Sequence, residues 1–255
     1  MNEATARELN AINRTFYRDH ARTFSDTRRD PWPGWTRVVS HLDESGEPGC
    51  ALSVLDVGCG NARLARFLSD AIARPVEYRG IDSSASLIAE ARHADTPGLR
   101  AEFEARDLVE NPLDPPAPSE AYDCATAFGI LHHIPGRARR RGLLERLAER
   151  LAPGGLLALA FWDFGADPRF ARKILELADY SASAARPLDA GQLEPGDALL
   201  RWGEPAAEAV RYCHWVDAAE EQELTSGLGL EALDAYACDG RSGVLNRYRL
   251  LRRPR

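Results

Sequence analysis

Between residues 50 and 162 the chain alternates short apolar, β-branched runs with longer stretches whose apolar residues recur every three or four positions. Continuous or alternating apolar runs predict strands, and a period near 3.6 predicts amphipathic helices. In order, the pattern predicts strand 52–57, helix 61–72, strand 76–81, helix 84–93, strand 99–105, loop 107–120, strand 122–127, helix 137–151 and strand 155–162. Such alternation implies an α/β fold whose parallel strands are joined by right-handed crossovers. The pattern breaks over 163–216, where a helix near 168–180 precedes a Ser, Ala, Pro and Gly-containing stretch reaching to about 197. A segment that long inside a compact domain is usually functional or mobile. Helix 218–226 and strands 230–238 and 244–252 follow, the last two joined by a turn at Asp239-Gly240 that suits an antiparallel hairpin and makes the sheet mixed.

Ahead of the first strand, residues 3 to about 24 carry Leu9, Ile12, Phe16 and Tyr17 at helical spacing, read as one helix or a pair. The run Phe24 to Pro33, with two prolines and Trp32, predicts an ordered loop, and a second helix covers Trp35 to Leu42. Residues 1–49 thus form an N-terminal addition, and 50–255 the main domain with an insertion at 163–216. The 255 residues, 44% of them hydrophobic, suffice for one sizeable core. A formal net charge of −7 disfavours a broad nonspecific nucleic-acid surface while leaving room for a local basic patch. Lys173 is the only lysine, a bias more readily read as high-GC coding than as selection for phosphate binding. The five cysteines are odd in number, scattered and without a C-x-x-C pair, so neither a metal site nor a disulfide framework is expected. Without a signal-peptide pattern or a bilayer-length apolar run, a cytoplasmic protein with no membrane partner is expected.

The chemistry-bearing residues gather at strand ends. Val54-Leu-Asp-Val-Gly-Cys-Gly-Asn-Ala-Arg63 reads as strand, glycine turn and helix, but it is not a dinucleotide fingerprint, because Arg63 occupies the place of the third glycine. Asp56, just before the glycines, would repel a pyrophosphate. It would instead attract an ammonium or sulfonium group by about 4 kcal/mol at a surface-like dielectric. Asp82 ends the second strand, where an acid can accept two ribose hydroxyls. Asp107 follows the third strand, where a loop-capping role is an equal alternative. Phe128 to Ile134 follows the fourth, at the sheet edge where open α/β folds bind ligands. Within it, His132 and His133 more readily pack the loop than catalyse. Arg137, Arg139, Arg140 and Arg141 present either a phosphate-binding cluster or a solvated helix face; Arg146 and Arg150, with Glu145 and Glu149 nearby, fit the second reading.

These motifs resemble class I S-adenosylmethionine-dependent methyltransferases, over roughly 50–162 and 218–252. The resemblance implies a Rossmann-like, seven-stranded mixed sheet and S-adenosyl-L-methionine as cofactor. It implies Asp56, Gly58, Cys59, Gly60, Asp82, Ser83, Asp107, Leu108 and Phe128 as the residues around that cofactor, with Asp107 near the adenine amino group. A closer likeness lies in Phe24-Ser-Asp-Thr-Arg28 with Pro31-Trp32-Pro33, then Ile130-Leu-His-His133, Ala160-Phe-Trp162, Gly196-Asp197 with Trp202, and Arg211-Tyr-Cys-His214. These resemble the tRNA wobble-uridine carboxymethyl methyltransferases, which esterify 5-carboxymethyluridine. Ala62 stands where that family usually has Gly, and Cys213 where a Tyr is common. The likeness implies tRNA as partner, admits an activating partner protein, and makes residues 1–49 a lid with a substrate loop. A carboxylate is already ionised at neutral pH, so its methylation needs alignment and exclusion of water and no general base. Arg28 is then the expected carboxylate clamp, with Trp32, Trp162 or Tyr17 as stacking surfaces and Arg211 and His214 as contacts to phosphate or carboxylate. Core packing between lid and sheet is the alternative reading of Trp32 and Trp162. A small-molecule acceptor of natural-product or quinone type is the alternative, for which His133 would be the first candidate base; a non-catalytic scaffold is a third reading. Arg28→Ala is expected to reduce turnover far more than cofactor affinity, which paired kinetics and calorimetry check.

Overall fold

A computed structural model of the protein describes residues 1–27, 30–43, 50–117, 120–177, 179–180, 188–203 and 209–255. Its centre is a seven-stranded sheet. The strands are β1 (Leu52–Val57), β2 (Val76–Asp82), β3 (Leu99–Ala105), β4 (Tyr122–Phe128) and β5 (Leu151–Trp162), followed much later by β9 (Glu231–Cys238) and β10 (Asn246–Arg252). They lie in the order β3-β2-β1-β4-β5-β10-β9. β1 to β5 run parallel, and β10 runs antiparallel to both β5 and β9. This is the class I methyltransferase arrangement. Because β1 passes first to β2 on one side, and the chain later returns to β4 on the other, the sheet has its switch point between β1 and β4. Ligand clefts of open α/β sheets form there.

Both sheet faces are covered, which explains the unbroken apolar run of β5. Leu156, Ala158 and Ala160 join Leu52 and Val54 against helices α2 (Trp35–Asp43) and α3 (Arg63–Ala71). Leu157, Leu159 and Phe161 join Leu55 and Val57 against Leu143, Leu144 and Leu147, which belong to α5 (Arg137–Glu149). Period-two alternation thus sends successive residues of one strand into two different cores. Helix α4 (Ala85–Ala91) starts on a Ser84 cap whose hydroxyl accepts from the Leu87 amide.

The additions depart further from the sequence pattern. The N-terminal segment is one helix, α1 (Glu3–Asp26), capped by Asn2 and running two residues past the expected end. The insertion holds a three-stranded antiparallel sheet, β6 (Ile174–Leu175), β7 (Asp197–Trp202) and β8 (Ala209–His214), that the pattern did not predict. The helix expected over 168–180 shortens to α6 (Pro168–Ala171) before β6 begins. Arg201 and Arg211 break the apolar runs of β7 and β8, and both strands are stabilised by α1: Leu9 packs with Leu199 and Tyr212. The last helix is α7 (Ala218–Thr225). Among the described residues, no helix is long and apolar enough to cross a membrane.

The expected turn after β9 is longer than two residues and centres on Asp239, a buried residue at φ +71. Its carboxylate accepts from the Gly34 amide at 2.9 Å, Asn246 Nδ2 at 2.8 Å and the Tyr248 hydroxyl at 2.6 Å, tying the segment after Trp32 to the hairpin. Asp239→Ala strands these buried donors and is expected to cost about 3 kcal/mol of stability, measured by urea unfolding.

Candidate active site

At the carboxyl end of β1 the chain turns through Gly58 at φ +79, where a Cβ would lie 2.8 Å from that of Ile130, and Gly60 at φ +54. Asp82, at the end of β2, sets this loop: one carboxylate oxygen accepts from the Gly60 amide at 3.0 Å, the other from the Ser84 amide at 2.8 Å. Burial pushes its carboxyl up, and the two amides oppose that. Ala62, at the usual glycine position, is held left-handed at φ +63, a conformation that costs an alanine roughly 1 kcal/mol. Arg63, in the place of the missing third glycine, lays its guanidinium 5.1 Å from the Trp32 ring and 5.3 Å from Trp35. The residue that spoils the dinucleotide motif therefore bolts the N-terminal loop to the glycine turn. Burial lowers its pKa to about 10.

Asp56 is only 2% exposed and accepts hydrogen bonds from Tyr78 on β2 and from Thr126 on β4. Burial pushes its pKa up to about 6, against the pull of those two hydroxyls. It lines a cleft of about 560 Å³ shared with Gly58, Cys59, Gly60, Asp82 and Ser83. Asp107, Leu108 and Phe128 line the same cleft. Burial raises the Cys59 thiol well above its ordinary value, so it is no nucleophile.

The opposite wall comes from α1. Asn10 donates to Asp107 at 2.9 Å, while Asp107 also accepts from the Val109 amide at 3.0 Å. Asn13 accepts from the Tyr212 amide at 2.9 Å and lies 3.2 Å from His133 Nδ1, which is also 3.0 Å from the Tyr212 carbonyl. The Tyr17 hydroxyl is 2.9 Å from His133 Nε2. At the far end of α1, Ser25 donates to Glu90 and accepts from Asn61. His132 is buried beside His133 and edge-on to Trp162. Asn10 and Asn13 were not singled out from sequence; the signal was there as polar residues 10, 13, 14 and 17 at helical spacing along one stripe.

Of the expected acceptor contacts, Trp32, His133, Trp162 and Arg211 line this cleft together with Tyr17. Arg28 lies outside the described residues. His214 is placed elsewhere: 1% exposed, it pairs with Asp197 and Glu220, each at 2.7 Å. Burial works against its charge, but the two carboxylates outweigh that and raise its pKa. It joins the insertion to α7 and has no ring nitrogen left for a ligand. The arginines of α5 are likewise committed. Arg137 pairs with Glu223 at 2.7 Å, Arg139 with Glu3, and Arg141 with Glu145 at 2.8 Å. Arg140, 0% exposed, holds Glu194 at 2.7 Å and Glu220 at 2.6 Å. They form internal and surface ion pairs in place of the phosphate-binding cluster considered from sequence.

Residues 55–157 match the family model described as a methyltransferase domain. The chain is 30% identical over 146 residues to the tRNA (carboxymethyluridine(34)-5-O)-methyltransferase of Mus musculus, covering 57% of this chain and 19% of that protein. It is 28% identical over 162 residues to the protein of that name from Saccharomyces cerevisiae, covering 64% and 51%. With trans-aconitate 2-methyltransferase of Methylobacterium nodulans the identity is 35% over 137 residues, covering 52% and 47%. The chain thus spans about half or less of the length of these curated relatives. Among solved structures, magnesium protoporphyrin IX methyltransferase from Synechocystis, with bound SAH, superposes at a TM-score of 0.58, with 20% identity over 96% of this chain and 99% of that one. The chain thus has the fold of class I S-adenosylmethionine-dependent methyltransferases, carries a methyltransferase domain over residues 55–157, and is similar in sequence to the tRNA carboxymethyluridine enzymes.

Proposed function

We propose that the protein transfers a methyl group from S-adenosylmethionine to a carboxylate, with the carboxymethyl group of a tRNA wobble uridine as the leading acceptor. The cleft suits this cofactor: its volume is of ligand size, its glycine turn leaves backbone accessible, and a buried acid stands where a cationic ligand would neutralise it. Asp56 and the glycine loop would hold the amino-acid end, Asp82 the ribose and Asp107 the adenine. Bound there, the cofactor supplies an electrophilic methyl group on a sulfonium.

The observation that carries the choice of acceptor is the state of His133. Both its ring nitrogens are engaged, by Tyr17 on one side and by Asn13 and the Tyr212 carbonyl on the other. Asp56, Asp82, Asp107 and Asp239 each already accept two or more donors. With its candidate base tied up, the cleft suits an acceptor that arrives ionised. The sulfonium methyl group of the bound cofactor would pass to such a carboxylate without any proton having to be removed, so the chain would need no base for the transfer. The chain's task is to align the reactants and shed water, and the α1 wall serves both ends. The names of two relatives, for carboxymethyluridine and for trans-aconitate, both denote carboxylates.

A small carboxylic acid is the second reading, favoured by the pairing of the α5 arginines, which leaves that helix without a phosphate-binding face. Mass spectrometry of tRNA nucleosides from cells lacking the protein decides between them. Loss of the carboxymethyl-ester uridine is expected; unchanged levels would remove tRNA as the acceptor. Cofactor affinity should also depend on pH. Below about 6 Asp56 takes up a proton and no longer attracts the ammonium. Affinity measured by calorimetry should therefore fall by up to about tenfold per pH unit as pH drops through that value. Asp56→Asn should bind weakly throughout and lose the Asp56 part of that dependence.

A further inference from the structure

The cleft contains one cation whose surroundings are unlike those of the other buried arginines. Arg140 holds two glutamates, and Arg150 donates to the carbonyls of Arg146 and Asp114. Arg211 on β8 is 5% exposed, yet its guanidinium has no hydrogen bond or ion pair among the described residues, and its Nε is buried without an acceptor. Three rings surround it: Trp162 at 5.0 Å, Phe16 at 5.8 Å and Phe24 at 5.9 Å. Rings attract a cation through their faces, but they accept none of the in-plane N–H groups. Burying a charge without a counter-ion is costly, and ring contacts recover only part of that. The group also lines the ligand cleft.

We propose that Arg211 is the specificity-determining residue for the acceptor, gripping its carboxylate through the edge of the guanidinium while the three rings hold the faces. The proposal rests on the carboxylate reading above and names the residue that enforces it. A planar fork surrounded by apolar groups suits a bidentate carboxylate, and desolvation strengthens the pair. Two consequences follow from charge. The carboxylate loses its negative charge on becoming an ester, so the grip holds the acceptor and releases the product. That charge is also already declining in the transition state, so Arg211 contributes more to acceptor binding than to the rate of the chemical step. Because Phe16 and Phe24 come from α1, the subsite is complete only when this helix lies across the cleft.

The test uses the full chain, saturated with S-adenosylhomocysteine, and calorimetric titration with trans-aconitate and with an anticodon stem-loop carrying 5-carboxymethyluridine. The corresponding 5-carbamoylmethyluridine stem-loop is the neutral control. At least one carboxylate probe should bind the wild-type protein, and Arg211→Met should weaken it by roughly 100-fold while leaving S-adenosylhomocysteine affinity unchanged. Arg211→Lys should lie between the two. For a methylated probe, Arg211→Met should raise KM more than it lowers kcat. Without acceptor, Arg211→Met should melt no lower than wild type, because it removes an unpaired buried charge; a structural role for Arg211 predicts a lower melting temperature. The proposal is overturned if Arg211→Met binds the carboxylates normally, if the carboxamide binds as tightly as the acid, or if only inorganic phosphate binds. Binding is read without turnover, so Arg211-dependent carboxylate binding with no methyl ester formed would sink the esterification reading and leave the subsite standing.

Discussion

A carboxylate buried where the strands diverge is the constraint on which the cleft depends. Asp56 on β1 takes one hydroxyl from β2 and one from β4, the two neighbours between which the sheet reverses its order. It thereby ties together the three strands whose ends carry Gly58, Asp82 and Phe128. Two hydrogen bonds soften the penalty of burial without removing it, as the raised pKa records. A cationic ligand would complete the compensation, so the same buried carboxylate whose desolvation costs stability would favour ligand binding.

Around this point the chain closes the cleft with parts far apart in sequence. Asn13 on α1, His133 after β4 and Tyr212 on β8 meet in one hydrogen-bonded node. The N-terminal helix, the core sheet and the insertion are therefore coupled: displacing α1 exposes polar groups of the other two, and its apolar face leaves Leu199 and Tyr212 without cover. Arg63 performs a similar service at the other end, stacked on Trp32 and Trp35.

Charge is divided between structural and ligand-facing uses in a way that total charge conceals. The α5 arginines, numerous enough to suggest a phosphate surface, are neutralised by Glu3, Glu194, Glu220 and Glu223 from three other parts of the chain. His214 is drawn into the same buried network. Arg211 is left facing the cleft among aromatic rings. The distinction is between cations neutralised by acids and one that has no acid beside it among the described residues, and only the positions of the acids decide it.

Read alone, the sequence determined the sheet and the glycine turn, because both are governed by local rules. Strand alternation, the glycines at 58 and 60 and the acids after successive strands all act within a few residues of where they are written. The antiparallel β7–β8 pair was not legible, since Arg201 and Arg211 interrupt its apolar rhythm and its stability comes from α1, nearly two hundred residues away. Nor were the partners of Arg63, His214 and the α5 arginines, for a side chain of that length takes its function from whatever group long-range folding brings within reach. The tertiary structure alone decided which cations are paired and which face the cleft, because ion pairing depends on distance in space and sequence spacing constrains that only along a single helix or strand.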